Sequence, residues 1–362
     1  MAAFWPCSSG WKAFQDVPGS PSFHERPSEL GEGWKMNFRC IAAAFVGVVL
    51  ATAPAHADGR NPGSLLVYPE FDSTPGRATL LSLTNVNPDG KHAQLKVEIV
   101  FINSGPTGGF ACLETNVTVT LTPNDTLTFL ASALNPNVQK GYVYAFAKTV
   151  TGEAMAFDWL IGDNVLFDGV LALDYAVNPY SFRAIRPLGS TTDVDLDGVR
   201  DLNGVEYEMA PAKIYVPRFF GQSATYQSEL VMIALTGGAQ FTTTLNFLVY
   251  NDNEEVFSKN FSFRCWSKVP LTSISNTFQQ SFLANFTSHA PNELIGAPSI
   301  EAGWFEIDGG VAASTNAVFQ DPAFLAFLIE HTGPRSGAEL AFDSGRQSNG
   351  DLLPLALSGD AN

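Results

Sequence analysis

The sequence predicts an all-β protein of two tandem Ig-like or jelly-roll-type antiparallel β-sandwich domains, and three observations predict it. Apolar and polar residues alternate with a period of two, turn-forming clusters recur at short spacing, and one set of strand motifs is written twice.

The alternation is clearest where Val117, Val119 and Leu121 interleave with Thr118, Thr120 and Thr122, and where Phe261, Phe263 and Cys265 interleave with Ser262 and Arg264. Successive side chains of a strand point to opposite faces, so this pattern predicts strands with one buried face. Turn clusters punctuate them: Asn87-Pro88-Asp89-Gly90, Asn103-Ser104-Gly105-Pro106 and Asn135-Pro136-Asn137. One segment has two readings. Asp321-Pro322 supplies an N-cap and a first-turn proline for a helix, while the apolar run behind it also suits a strand.

The repeat is carried by several marks in constant order. Leu65-Leu66-Val67-Tyr68-Pro69-Glu70-Phe71 answers Lys213-Ile214-Tyr215-Val216-Pro217-Arg218-Phe219, and Val97–Asn103 answers Leu245–Asn251 at the same offset of 148. Phe110-Ala111-Cys112-Leu113 matches Phe263-Arg264-Cys265-Trp266. Leu121-Thr122 and Thr128-Phe129 match Leu271-Thr272 and Thr277-Phe278, and Gly141-Tyr142 answers Gly303-Trp304. Small drifts in offset are what insertions in hairpin loops produce. The expected organisation is a leader plus signal peptide over 1–57, a first sandwich over 58–187, an acidic linker over 188–209, and a second sandwich with a C-terminal tail over 210–362.

Export is expected from residues 35–57. Lys35-Met36-Asn37-Phe38-Arg39 is a basic n-region, Cys40 to Ala51 is apolar, and Ala55-His56-Ala57 is a small-x-small cleavage site that leaves Asp58 as the new N-terminus. Residues 1–35 fit no part of a signal, which points to Met36 as the start of translation. The apolar run is too short to span a bilayer, and no later segment is long enough, so the mature chain is expected to carry no integral membrane span. The expected location is extracellular, cell-surface or periplasmic, in a bacterial setting. The formal net charge is -16. Residues 1–57 hold four basic and four acidic side chains, so the remainder carries 16 Lys/Arg against 32 Asp/Glu. Such a field repels nucleic acid and attracts divalent cations.

Between the two units lies Asp193-Val194-Asp195-Leu196-Asp197-Gly198-Val199-Arg200-Asp201-Leu202-Asn203-Gly204. Carboxylates at positions 1, 3, 5 and 9 with a glycine at 6 let one short loop wrap oxygens around a hard cation, and calcium suits six to eight oxygens in flexible geometry. These residues resemble the DxDxDG calcium loop of EF-hands, dockerins and thrombospondin type 3 repeats. The EF-hand pattern requires a bidentate Glu at position 12, where this chain has Gly204, and Glu206 or Glu208 stands nearby as a substitute. The resemblance therefore implies a structural Ca2+ held by Asp193, Asp195, Asp197, Asp201 and Glu206, ordering the linker and setting the angle between the domains.

The remaining chemistry points away from catalysis. His92, His289 and His331 are widely spaced, and no paired metal-His motif or nucleophile signature occurs. Carboxylate pairs such as Glu70 with Glu98 or Glu306 with Asp308 suit glycoside hydrolysis only if they meet across a cleft. Alternation places Cys112 with Phe110, and Cys265 with Phe261 and Phe263, each in its own core. Two buried free thiols are favoured over a bridge between domains. Trp159, Trp266 and Trp304 suit either a core or a sugar-stacking platform. The expectation is a non-enzymatic secreted or surface module for adhesion or scaffolding, with surface polysaccharide or another surface protein as partner. Carbohydrate binding is the first alternative and a secreted glycoside hydrolase the second.

Overall fold

The computed structural model describes residues 61–89, 94–104, 112–137, 139–286 and 300–352. The leader and signal segment, Phe110, His92 and His289 lie outside them. The first half comprises β1 (Leu65–Asp72), β2 (Arg77–Asn85), β3 (Leu95–Asn103), β4 (Leu113–Leu121), β5 (Thr126–Leu130), α1 (Ala131–Leu134), β6 (Lys140–Lys148), β7 (Leu160–Asp168), β8 (Leu173–Val177) and β9 (Tyr180–Phe182). After β10 (Arg200–Leu202), the second half runs β11 (Ala210–Phe220), β12 (Tyr226–Ala234), β13 (Thr242–Asn251), β14 (Val256–Phe263), β15 (Trp266–Pro270), α2 (Leu271–Ile274) and α3 (Gln280–Asn285). It continues with β16 (Ala302–Ala313), β17 (Val318–Gln320), β18 (Phe324–Thr332), β19 (Arg335–Leu340), β20 (Phe342–Gln347) and β21 (Gly350–Leu352). The ambiguous segment after Asp321 is therefore a strand, β18.

The strands form antiparallel sheets. In the first half sheet I is β5-β2-β7-β8 and sheet II is β4-β3-β6-β1-β9; in the second, sheet III is β15-β12-β18-β19 and sheet IV is β14-β13-β16-β11-β20, with β17 on β16. A two-stranded ribbon pairs β10 with β21. Substituting β11 to β16 for β1 to β6, and β18 to β20 for β7 to β9, turns the order of sheets I and II into that of III and IV.

The register carries the same repetition. Pairing of β1 with β6 shifts between Tyr68 and Phe71, and pairing of β11 with β16 shifts between Val216 and Phe219. Each shift contains the matched proline, Pro69 or Pro217, whose missing N–H cannot serve a ladder. Phe71 and Asn103 then lie opposite Gly141, as Phe219 and Asn251 lie opposite Gly303. A side chain at Gly141 would collide with the Ile102 carbonyl, and one at Gly303 with the Tyr250 carbonyl, so both positions need glycine for close backbone approach. Two matched marks do not coincide in space: Leu121-Thr122 closes β4, whereas Leu271-Thr272 opens α2 beyond β15.

Three apolar clusters lie between the sheets. Leu81, Leu83 and Leu160 of sheet I pack with Leu66, Val97, Phe101 and Val143 of sheet II. Leu230, Met232, Phe324 and Leu328 of sheet III pack with Phe247, Phe305 and Ile307 of sheet IV. The third cluster joins the halves: Leu65, Val67, Ile102 and Tyr144 of sheet II meet Val231, Ile233, Leu325, Phe327 and Ile329 of sheet III, with Tyr175 and Val177 of β8 at its side. Sheets II and III are thus buried on both faces: each half keeps the core of its own that the alternation suggests, and a third core lies between the halves. Strands covered on both faces read as unbroken apolar runs, which Leu65–Tyr68 and Phe324–Ile329 are.

Cys112 and Cys265 form a disulfide with Cα atoms 6.2 Å apart, which overturns the expected free thiols. At Cys265 the expectation failed because alternation breaks there, while Phe110, on which it rested at Cys112, lies outside the described residues. Cys112 has φ +36° and Cys265 has φ +53°, left-handed values that redirect a side chain relative to its strand neighbours. Phe263 accordingly packs in the core between sheets III and IV, while Cys265 joins the shared core. The two cysteines are also not equivalent in the repeat, since Cys112 precedes β4 and Cys265 follows β14.

Polar contacts add to this junction. The Lys268 ammonium donates to Glu70 Oε1 at 3.0 Å and to the Tyr175 hydroxyl at 2.9 Å, and lies 3.7 Å from Glu229 Oε2. Tyr175 in turn donates to Glu70 Oε2 at 2.6 Å. Burial opposes the charge of Lys268, but Glu70 and Glu229 outweigh it and hold the ammonium's pKa above its ordinary value. Trp266 is buried, with Nε1 donating to the Pro69 carbonyl at 2.9 Å, so it is an interface residue rather than a sugar platform.

Candidate metal centre

The acidic loop leaves the first half after β9 and enters β10. Its path depends on two left-handed residues, Leu196 at φ +64° and Gly198 at φ +82°, of which only the glycine adopts that conformation freely. The loop's own carboxylates hold it. Asp193 Oδ2 accepts from the Gly198 amide at 3.2 Å and meets Arg200 at 3.4 Å, and Asp197 Oδ1 accepts from the Val199 amide at 2.8 Å. Arg200 is buried, its guanidinium 4.9 Å from the centre of the Phe146 ring, which anchors the loop to the shared core.

Three of the five sequence-predicted ligands come together: Asp193, Asp195 and Asp197 each bring a carboxylate oxygen within 4.8 Å of the others. Exposed like charges at such separations repel by about 1 kcal/mol per pair in water. A divalent cation among them removes that cost.

Asp201 and Glu206 occupy a second tier. Glu206 is 1% exposed, and its oxygens accept the amides of Val194 at 2.5 Å and Asp201 at 3.3 Å. It ties Val194 near the start of the loop to Asp201 at its ninth position. Burial pushes its carboxyl up to about 7, against the pull of those amides. Asp201 accepts from Asn203 Nδ2 at 3.1 Å, and its pKa is raised by burial and then by Asp197 and Asp195.

A carboxylate that sequence reasoning missed stands beside this group. The ribbon register places Asp351 directly opposite Asp201. Arg200, Leu202 and Leu352 are buried on one face of the ribbon, so Asp201 and Asp351 share the other. Asp351 Oδ2 accepts from the Gly237 amide at 3.3 Å, whereas its Oδ1 is buried without a hydrogen bond, as is Asp193 Oδ1. Burial, followed by Asp201 and Asp197, pushes the Asp351 carboxyl up to about 7. No spacing rule links two residues 150 positions apart; the pairing of β10 with β21 brings them together.

The other sequence candidates are engaged elsewhere. Glu98 accepts from Lys148 at 3.0 Å, and Glu306 and Asp308 both flank Lys213, at 3.5 and 3.0 Å. Trp159 packs against the core between sheets I and II. Trp304 is half-buried on the outer face of sheet IV, stacked on Tyr250 with ring centres 4.1 Å apart. Beside the loop, a cleft of about 900 Å³ lies between β8–β9 and β19–β20, walled by Phe182, Met209, Leu340 and Phe342 with Arg183 and Arg346 in its lining. Among the described residues no helix is long and apolar enough to cross a membrane.

No family model matches the chain, and no curated protein matches it. Among solved structures, a chain of the T13 IBDV viral particle aligns over 81% of this chain and 72% of its own, at 11% identity and a TM-score of 0.13, a likeness that supports no inference about fold or function.

Proposed function

We propose that this protein is an exported, non-enzymatic module of the cell surface or its surroundings, serving adhesion or scaffolding. It is built as two tandem β-sandwich domains of Ig-like or jelly-roll type, with a structural calcium ion in the loop between them. Surface polysaccharide or another surface protein is the partner class, and nucleic acid is disfavoured by the acidic field. The observation that carries the reading is the convergence of Asp193, Asp195 and Asp197 within 4.8 Å in a loop with calcium-type spacing.

The ion's role in this reading is local. The halves already share an apolar core, a disulfide and the Lys268 network, so calcium orders the loop rather than setting their angle. Titrating calcium chloride into the chain from Asp58 onward, by calorimetry, is expected to give a saturable heat with one ion per chain. No heat at millimolar calcium overturns the proposal.

A further inference from the structure

We infer that copies of this chain associate end to end, the outer face of sheet I in one copy seating on the outer face of sheet IV in the next. The occupant of each face is a second copy, and the scaffold proposed above then consists of the chain itself, with or without an ion in its loop. The contact between the halves carries this. By the repeat, sheet I corresponds to sheet III and sheet II to sheet IV. The halves meet through sheet II of the first and sheet III of the second, so the core between them joins two different faces of the repeated unit. A head-to-tail contact of this kind leaves one face of each type unused and continues into an open chain unless its rotation closes. The two unused faces are the outer ones of sheets I and IV.

Both keep apolar residues where they meet water. On sheet II the core between the halves uses Val67, Val100, Ile102 and Tyr142. At the matching places the outer face of sheet IV presents Tyr215, Leu248, Tyr250 and Trp304, all half-buried. On the outer face of sheet I, Leu130 is 46%, Ile161 38% and Phe167 45% exposed, and Leu80 stands between Leu130 and Val165 across the strands. A strand with one solvated face ordinarily places polar residues there, and exposed apolar patches mark contact surfaces. Charge makes the outer contact weaker than the inner one. Leu65, Tyr144 and Phe146 of sheet II are answered on sheet IV by Lys213, Glu306 and Asp308, and the Lys213 ammonium lies 3.5 Å from Glu306 and 3.0 Å from Asp308. Asp163 and Asp174 lie on the outer face of sheet I, opposite Ser82 and Phe167. Two faces with a surplus of carboxylates repel in water, and salt screens that repulsion.

Analytical ultracentrifugation of the chain from Asp58 onward, with chelator present, tests the proposal. The average mass is expected to climb above that of one chain as protein concentration rises into the millimolar range, and to climb further at high salt. The mass of a single chain at every concentration and salt overturns it, whether or not the loop binds calcium. Trp304→Ala removes the aromatic anchor of sheet IV and Phe167→Ala that of sheet I, and each is expected to weaken association at least about tenfold. Mixing the two variants should restore association and stop at two chains, because each retains one intact face. Undiminished association of either variant alone, or none in the mixture, overturns the pairing of sheet I with sheet IV. Should a variant fail to fold, the mass of the wild-type chain decides.

Discussion

Replacing Lys268 by Met is expected to lower stability by about 3–5 kcal/mol, because it removes one partner of a buried ion pair and strands the other. Glu70 is 1% exposed and sits at the proline bulge of β1, where Lys268 and Tyr175 supply its hydrogen bonds. Methionine preserves the apolar stem, so the loss reports the stranded carboxylate rather than a cavity. Glu70→Gln in the same chain should recover a large part of it, since the two sites interact directly. Urea unfolding of the single and double variants measures both terms. A loss below about 1 kcal/mol for Lys268→Met would mean that water screens this network as it does an ordinary surface pair.

The second large effect concerns the Cys112–Cys265 disulfide. It closes a loop of 153 residues, and the chain-entropy estimate for removing such a cross-link is about 5 kcal/mol, an upper value because the unfolded chain retains structure. Cys112→Ala with Cys265→Ala is expected to shift the urea midpoint by an amount approaching this. The native fold should persist, since the core between sheets II and III does not depend on the bond. Thiol titration of the chain from Asp58 onward, which lacks Cys7 and Cys40, should find no reactive thiol in denaturant without reductant. Two reactive thiols would contradict the bridge.

Much of the architecture is legible in the sequence because the repeat preserves features with strict physical requirements. Pro69 and Pro217 cannot serve a ladder, and Gly141 and Gly303 stand where no side chain fits, so these marks survive in register while ordinary strand residues drift. The junction between halves is less legible. It depends on which faces of sheets II and III meet, and period-two reasoning assigns each strand a single buried face. The unbroken runs at Leu65–Tyr68 and Phe324–Ile329 held that information. The disulfide was hidden for a different reason. A left-handed backbone at a cysteine leaves no trace in the residue pattern, and alternation extrapolated through Cys265 points to the wrong core.

The candidate site divides along the same line. Asp193, Asp195 and Asp197 are local in sequence, and their spacing announces their convergence. Asp351 depends on the pairing of β10 with β21, a long-range contact that no local pattern encodes. Arg200 illustrates a residue whose role changes between the two views. In the sequence it interrupts an acidic loop, and in the fold it is the buried anchor joining that loop to Phe146 and Asp193.

The central claim is that the two halves form one body through a shared core, with any bound ion acting locally on the acidic loop. Small-angle X-ray scattering of the chain from Asp58 onward, with calcium and then with excess chelator, tests this most directly. The same radius of gyration in both states, within error, is the expected result. An expansion on chelation would show the acidic loop acting as a hinge that calcium locks, and would contradict the shared-core account.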